Sequence, residues 1–194
     1  MLFVLSAPSG AGKSTIAREI MRLFPSIKFS VSATTRARRQ KEMEGRDYFF
    51  LTHEQFKSRI EAGDLIEWEE VFGNYYGTLK SQVDAAIAAG HHMIFDIDVK
   101  GGLSIKRIYG DLAVLIFIKP PGMDVLRERL ERRGSDDAAG IETRLARANW
   151  ELEQAPGFDY VVVNDDLKRS VPEVASIITD RLEAQTIELN TTKE

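Results

Sequence analysis

Lys13 and Ser14 close the run Ala7-Pro8-Ser9-Gly10-Ala11-Gly12-Lys13-Ser14, which follows an apolar stretch and precedes a segment of helical period. Gly10 and Gly12 let backbone N–H groups curl around an anion, and the start of the helix adds its positive end. A lysine and a hydroxyl stand next in line, Lys13 for the β- and γ-phosphates of a nucleotide and Ser14 for a Mg²⁺ ion. A strand–loop–helix setting gives such a motif its weight, so Ser9, Gly10, Ala11, Gly12, Lys13, Ser14 and Thr15 are candidate ATP contacts. Ala7 stands where the strict motif has its first glycine, and alanine takes most of the same backbone conformations.

Carboxylates form a second group. Asp96 and Asp98 end the run His91-His92-Met93-Ile94-Phe95, and strand period puts both on one face. At the carboxyl end of a strand in an open α/β sheet they are set to hold Mg²⁺, directly or through water, or to accept hydrogen bonds from a substrate. Either one can instead cap the helix that starts around Gly101-Gly102. His91 and His92 have no partner at ligand spacing and read as surface or strand-edge residues.

Arginines form a third. Arg36, Arg38 and Arg39 lie in a basic run with Lys41, not far from tyrosines, and their planar forks suit a phosphate; the plainer alternative is a solvated surface. Arg129 and Arg133 share one helical face, and Arg144 opens the next helix beyond a polar loop. Together they can neutralise charge on a transferring phosphoryl group while the loop excludes water, or they can be ordinary partners of Glu128 and Glu131.

The elements that must position these groups follow from the periodicity. Buried strands are expected over Leu2 to Ser6, His92 to Ile97, Ala113 to Ile118 and Tyr160 to Val163, alternating with helices over Ser14 to Leu23, Ser81 to Ala89, Met123 to Arg132, Ile141 to Glu153 and Ser170 to Ala184. This alternation is the pattern of an α/β fold with a mostly parallel sheet flanked by helices. In the Ile141 helix, Ile141, Leu145, Ala148 and Leu152 form the packing stripe, and Arg144 and Arg147 sit on its flanks, free to reach elsewhere. Two stretches break the alternation. Residues 32 to 79 mix the basic run with Tyr48, Phe49, Phe50, Trp68, Phe72, Tyr75 and Tyr76 and short strand-like pieces, and Gly134 to Gly140 is a polar loop of the kind that serves as a lid. The end of the chain, 188–194, reads as a frayed tail.

Composition bounds the reading. A length of 194 residues suits one α/β core with embedded excursions, and 43% hydrophobic against 29% charged residues is a globular balance. A formal net charge of −4 argues against general nucleic-acid binding, and no apolar run approaches the ~18 residues a membrane span needs. The apolar start runs straight into the glycine loop and reads as a strand, not a signal peptide. With no cysteine, thiolate chemistry is excluded, which fits a cytoplasmic setting.

The stretch Thr34 to Leu51 resembles the signature of the guanylate kinases throughout its length. The resemblance extends to Leu65-Ile66-Glu67-Trp68, Gly73 to Thr78, Asp96-Ile97-Asp98 and Val163-Asn164-Asp165-Asp166, so it covers essentially the whole chain. It implies a P-loop NTPase fold with three functional parts: a core near 1–31, 90–128 and 156–187, a GMP-binding insertion near 32–89 and a lid near 129–147. It also implies transfer of the γ-phosphoryl group from ATP to GMP, with Mg²⁺. On this likeness Arg36, Arg39, Tyr48 and Tyr76 hold the GMP phosphate. Glu67 reads guanine as a double acceptor opposite N1–H and the N2 amino group, with Ser32 and Thr78 near O6 and Asp98 as a further acceptor. Asp96 serves the substrate and, with Ser14, the metal. Arg129, Arg133 and Arg144 close over the phosphates, and Asn164 borders the adenine. Two other readings compete. Guanylate-kinase-like scaffold modules have lost parts of the phosphate loop, whereas Lys13 and Ser14 are present here; a P-loop kinase for another acceptor fits the fold but not the Thr34 to Leu51 signature or Glu67.

Overall fold

The computed structural model describes residues 1–71, 73–134 and 137–191, so Phe72, Ser135, Asp136 and the tail residues 192–194 lie outside the described residues. Its centre is a five-stranded parallel sheet of order β2-β7-β1-β8-β9. β1 is Leu2–Ser6, β2 Lys28–Phe29, β7 Met93–Asp96, β8 Ala113–Lys119 and β9 Tyr160–Val163. Every residue of β1 is buried, and successive side chains supply opposite faces. Phe3 and Leu5 pack with Ile16 and Ile20 of α1 (Lys13–Leu23) and Val174 and Ile178 of α7 (Leu167–Thr191). Leu2 and Val4 pack on the other side with Phe95, Phe117, Val83 of α3 (Lys80–Ala88), and Val99 and Ile105 of α4 (Val99–Tyr109). Parallel pairing needs crossover helices that cover both faces of the sheet, which is why its central strand is buried at every residue. The edge strand β2 has no counterpart in the sequence pattern, because two exposed residues carry no period.

The stretch from 32 to 79 forms a second, four-stranded sheet of order β4-β3-β6-β5, made of β3 (Ala33–Thr34), β4 (Phe49–Phe50), β5 (Leu65–Val71) and β6 (Asn74–Leu79). It also contains a helix that the aromatic content hid, α2 (His53–Glu61), started by a capping box between Thr52 and Gln55. Ala33, Phe56 and Leu79 are its small core, and Phe56 stacks on Tyr75 at 5.4 Å between ring centroids. Helices α5 (Met123–Arg133) and α6 (Ala138–Glu153) pack through Leu126, Leu130, Ile141, Leu145 and Ala148.

Two expectations need correcting. Asp96 is the last residue of β7, but Asp98 is not on that strand: it is the N-cap of α4, its Oδ1 accepting from the Gly101 amide at 2.8 Å. The shared strand face therefore does not exist. Arg144 does not open α6 either, because Asp137 caps that helix and starts it at Ala138, a turn and a half earlier.

Candidate functional site

The donor half is built mainly from backbone. Gly12 is the N-cap of α1 with φ 96°, a left-handed conformation that glycine adopts without strain. A Cβ there would also lie 2.3 Å from Nδ2 of Asn164, so the position has no room for one. The loop, with Arg129, Arg133 and Glu151, lines a cavity of about 470 Å³. Lys13 Nζ bonds Asp96 Oδ1 at 2.7 Å and donates to the Ile97 carbonyl at 2.6 Å, which fixes it over the end of β7 with its remaining donor to spare. Arg144 Nη1 donates to Ser9 Oγ at 2.8 Å, bringing α6 onto the loop. Arg129 donates to the Asn164 carbonyl at 2.9 Å, and the Glu128 carboxylate pairs with Arg132 one turn on.

Asn164 borders a second cavity, with Thr15, Arg129 and Asp165 to Leu167, but its side chain is turned inward. Nδ2 donates to the Ala11 carbonyl at 2.7 Å and Oδ1 accepts from Ser170 Oγ at 2.8 Å. Its visible work is to hold the phosphate loop.

The acceptor half is built from side chains. Glu67 on β5 accepts from Thr78 Oγ1 at 2.6 Å, across the β5–β6 pairing. Its Cγ would lie 3.0 Å from a Cβ at position 101, so glycine in the first turn of α4 leaves the space that Glu67 fills. Glu67, Trp68, Glu69, Asp98, Lys100 and Ser104 line a cavity of about 340 Å³. Burial, and then the neighbouring charges of Asp98 and Glu69, push the Glu67 carboxyl up to about 7, with the Thr78 hydroxyl and amide opposing the rise. A carboxylate pair facing a cavity can accept two adjacent N–H donors.

Around the basic run, Arg36 makes a fork with Glu42, Nη2 to Oε1 at 2.7 Å and Nη1 to Oε2 at 3.1 Å, and its guanidinium lies 5.3 Å from the centre of the Tyr48 ring. Tyr76 packs edge-on to Tyr48 at 6.2 Å and also interacts with Arg36. Arg39 is exposed, its amide donating to Glu42 at 2.8 Å. The Arg36 bond and then that amide hold the Glu42 carboxyl below its ordinary range. Arg36, Tyr48 and Tyr76 are thus brought together. Ser32 stands just before β3, half-buried, its carbonyl accepting from the Phe49 amide at 2.9 Å.

Three residues at the site were not singled out for a role in it from sequence: Glu42, Arg147 and Glu151. Glu42 offered only its place three residues after Arg39. Arg147 and Glu151, an i,i+4 pair on α6, offered a spacing that is common on any helix surface. Burial of Glu151 beside the phosphate cavity is visible only in three dimensions.

The two halves meet at residues 96–98. Lys13 bonds Asp96 and the Ile97 carbonyl, while Asp98 faces the Glu67 cavity.

Known proteins resemble this chain along most of its length. The family model described as guanylate kinase matches residues 1–181. Among curated relatives, the guanylate kinase of Chlorobaculum tepidum is 52% identical over 181 residues, 93% of each chain. That of Thermotoga maritima is 45% identical over 177 residues, 91% of this chain and 85% of the relative. The crystal structure of guanylate kinase from Anaplasma phagocytophilum superposes with a TM-score of 0.68 at 34% identity, covering 95% of this chain and 85% of that one.

Proposed function

Since this chain belongs to the guanylate kinase family and phosphorylates GMP with ATP, we propose that its reaction runs by direct in-line transfer between the two half-sites that meet at residues 96–98. That meeting carries the reading, because it sets a phosphate-binding lysine beside a base-reading carboxylate. ATP lies along the glycine loop with its phosphates against the amides of residues 9–15 and Lys13, and its adenine end near Asn164. GMP lies in the 32–89 insertion, its phosphate on Arg36, Arg39, Tyr48 and Tyr76 and its guanine edge on Glu67, Thr78, Ser32 and Asp98. An oxygen of the GMP phosphate attacks the γ-phosphorus, and the bond from that phosphorus to the β-phosphate oxygen breaks, leaving ADP and GDP. The attacking phosphate is already largely ionised at neutral pH, so the step needs no general base. Lys13, Arg129, Arg133 and Arg144 stabilise the negative charge, and the segment 129–147 closes as a lid to exclude water.

Mg²⁺ fits the residues present. Ser14 Oγ and the Asp96 carboxylate supply two hard oxygens, and such an ion takes its others from water and phosphates. When bound, it would neutralise charge on the β- and γ-oxygens. We also place the protein in the cytoplasm, in keeping with its cysteine-free sequence.

ADP formation across AMP, CMP, UMP, GMP and dGMP tests the reading. Turnover confined to the guanine nucleotides is expected; equal turnover with AMP would remove Glu67 from the base site. Incubation with ATP alone should leave no phosphorylated enzyme, and trapping one would overturn direct transfer.

A further inference from the structure

The acceptor cavity is crowded with carboxylates. Glu67, Glu69 and Asp98 line it, and Glu151 is buried nearby on α6. Guanine brings donors for one or two of these groups, and the rest need a cation or a hydrogen bond to stay in place. Lys13 is engaged with Asp96, and Lys100 lies over the Trp150 ring at 5.4 Å. Arg147 does reach them. Its Nη2 donates to Asp98 Oδ2 at 3.1 Å, its Nε donates to Glu151 Oε1 at 3.1 Å, and Glu69 Oε2 lies 4.0 Å from Nη2.

These contacts join three elements: the α6 helix, the N-terminal turn of α4 and strand β5. Lys100 and Trp150 make a second link between α4 and α6 beside the first. Arg144, one turn earlier on α6, reaches Ser9 in the phosphate loop. The same helix therefore touches the donor half through one arginine and the acceptor half through another. Asp98 is held at both oxygens, Oδ1 by the Gly101 amide and Oδ2 by Arg147, and a carboxylate oxygen with two lone pairs can still take a donor from the base.

We infer that Arg147 is a positioning residue for the acceptor nucleotide, fixing Asp98 toward the guanine edge and tying α6 to the acceptor half. The inference rests on the proposed placement of guanine at Glu67 and Asp98. Arg147 itself touches neither nucleotide and works through Asp98.

Steady-state kinetics on Arg147→Ala, Arg147→Lys, Asp98→Asn and the double variant Arg147→Ala/Asp98→Asn test it. Asn is as good an N-cap as Asp, so the α4 turn survives in Asp98→Asn. Arg147→Ala should raise KM for GMP roughly fivefold, the ceiling for a solvent-exposed ion pair, with kcat and KM for ATP within about twofold. Arg147→Lys should recover most of the loss. In the Asp98→Asn background the effect of Arg147→Ala should shrink to under about twofold, because its partner is already altered. A purely structural role would instead lower the melting temperature and move both KM values together, which would overturn the proposal. So would an unchanged KM for GMP in Arg147→Ala where Asp98→Asn raises it, or a full fivefold effect that persists in the double variant. If Asp98→Asn alone leaves GMP untouched, the base-site reading fails, and its failure is told apart from failure of the arginine link.

Discussion

On the proposed placement of ATP and GMP, the donor and acceptor halves solve the same problem, holding a nucleotide, with different materials. The donor half hangs on a sheet whose central strand β1 is fully buried and uses glycine amides, a helix start and one lysine held by main-chain and side-chain partners. The acceptor half sits on a small sheet with a short core and uses forks and pairs of side chains: Glu67 with Thr78, Arg36 with Glu42, Asp98 with Arg147. Phosphates are alike in every nucleotide, so amides from a rigid backbone suffice to hold them. Guanine and adenine share one ring system and differ in the pattern of donors and acceptors along one edge, a pattern that a carboxylate side chain can match. On this view the donor half governs rate, and the acceptor half governs choice.

The largest effect that would break the comparison is a rate effect. Lys13→Ala should lower kcat about 10³-fold, since it removes a preorganised cation from the transferring phosphoryl group. GMP affinity measured by calorimetry should stay within about threefold. A folded variant that loses GMP binding along with its rate would mean that the halves are not separable.

Next comes choice. Glu67→Gln turns one acceptor into an NH₂ donor that opposes a guanine N–H, yet can pair with N1 of adenine while its carbonyl accepts from N6. The ratio of kcat/KM for GMP over AMP should fall roughly 10²-fold, mostly through loss with GMP, because sites built on hydrogen bonds discriminate strongly. An unchanged ratio would hand the base to other residues.

A smaller effect comes from pH. Burial pushes the Glu67 carboxyl up to about 7, and only the ionised form accepts both guanine donors. From pH 8 to pH 6, KM for GMP should therefore rise by about tenfold. The second ionisation of the GMP phosphate contributes in the same direction near pH 6. The Glu67→Gln variant keeps the phosphate's share and loses the carboxylate's, so a pH profile identical to the parent's would remove Glu67 from the titration.

The donor half was the more legible of the two from sequence. Its residues are contiguous, the strand before Ala7 and the helix after Gly12 announce themselves by period, and the glycines have a backbone reason to be there. The acceptor half draws on positions scattered from Ser32 to Asp98, and their roles came from family likeness. Residue types alone gave no reason to single out Glu67 beside Trp68. Asp98 departs from the strand alternation for a simple reason: two residues beyond Asp96, capping of α4 has already taken over. Arg147 stood on the flank of a packing stripe, and nothing in one dimension tells a flank that faces solvent from one that faces three carboxylates.

The smallest expected effect asks whether the acceptor half gives up stability for choice, as the comparison implies. Folding encloses the Glu67 carboxyl and raises it from 4.5 to about 7, so the folded protein holds a proton there that the unfolded chain releases. The stabilisation that this proton represents is fully present below about pH 4.5 and is lost as pH rises through about 7. The loss has a ceiling of about 3 kcal/mol. Gln at position 67 is close in shape to the protonated acid, its carbonyl can still accept from Thr78, and it does not titrate. Thermal unfolding should therefore give parent and Glu67→Gln nearly equal Tm at pH 5, with the variant more stable at pH 8. At about 2–4 °C per kcal/mol for a chain of this size, the gap should reach several degrees. The phosphate cavity has a raised carboxyl of its own, Glu151, which burial pushes up against the opposing charges of Arg147 and Lys13, so the gap is read on Glu67→Gln and not on Lys13→Ala. If the Tm difference between parent and Glu67→Gln is the same at both pH values, the carboxyl is already ionised in the folded enzyme at pH 5. In that case the pH dependence of GMP binding comes from the phosphate alone, and the acceptor half holds its carboxylate at no cost in stability.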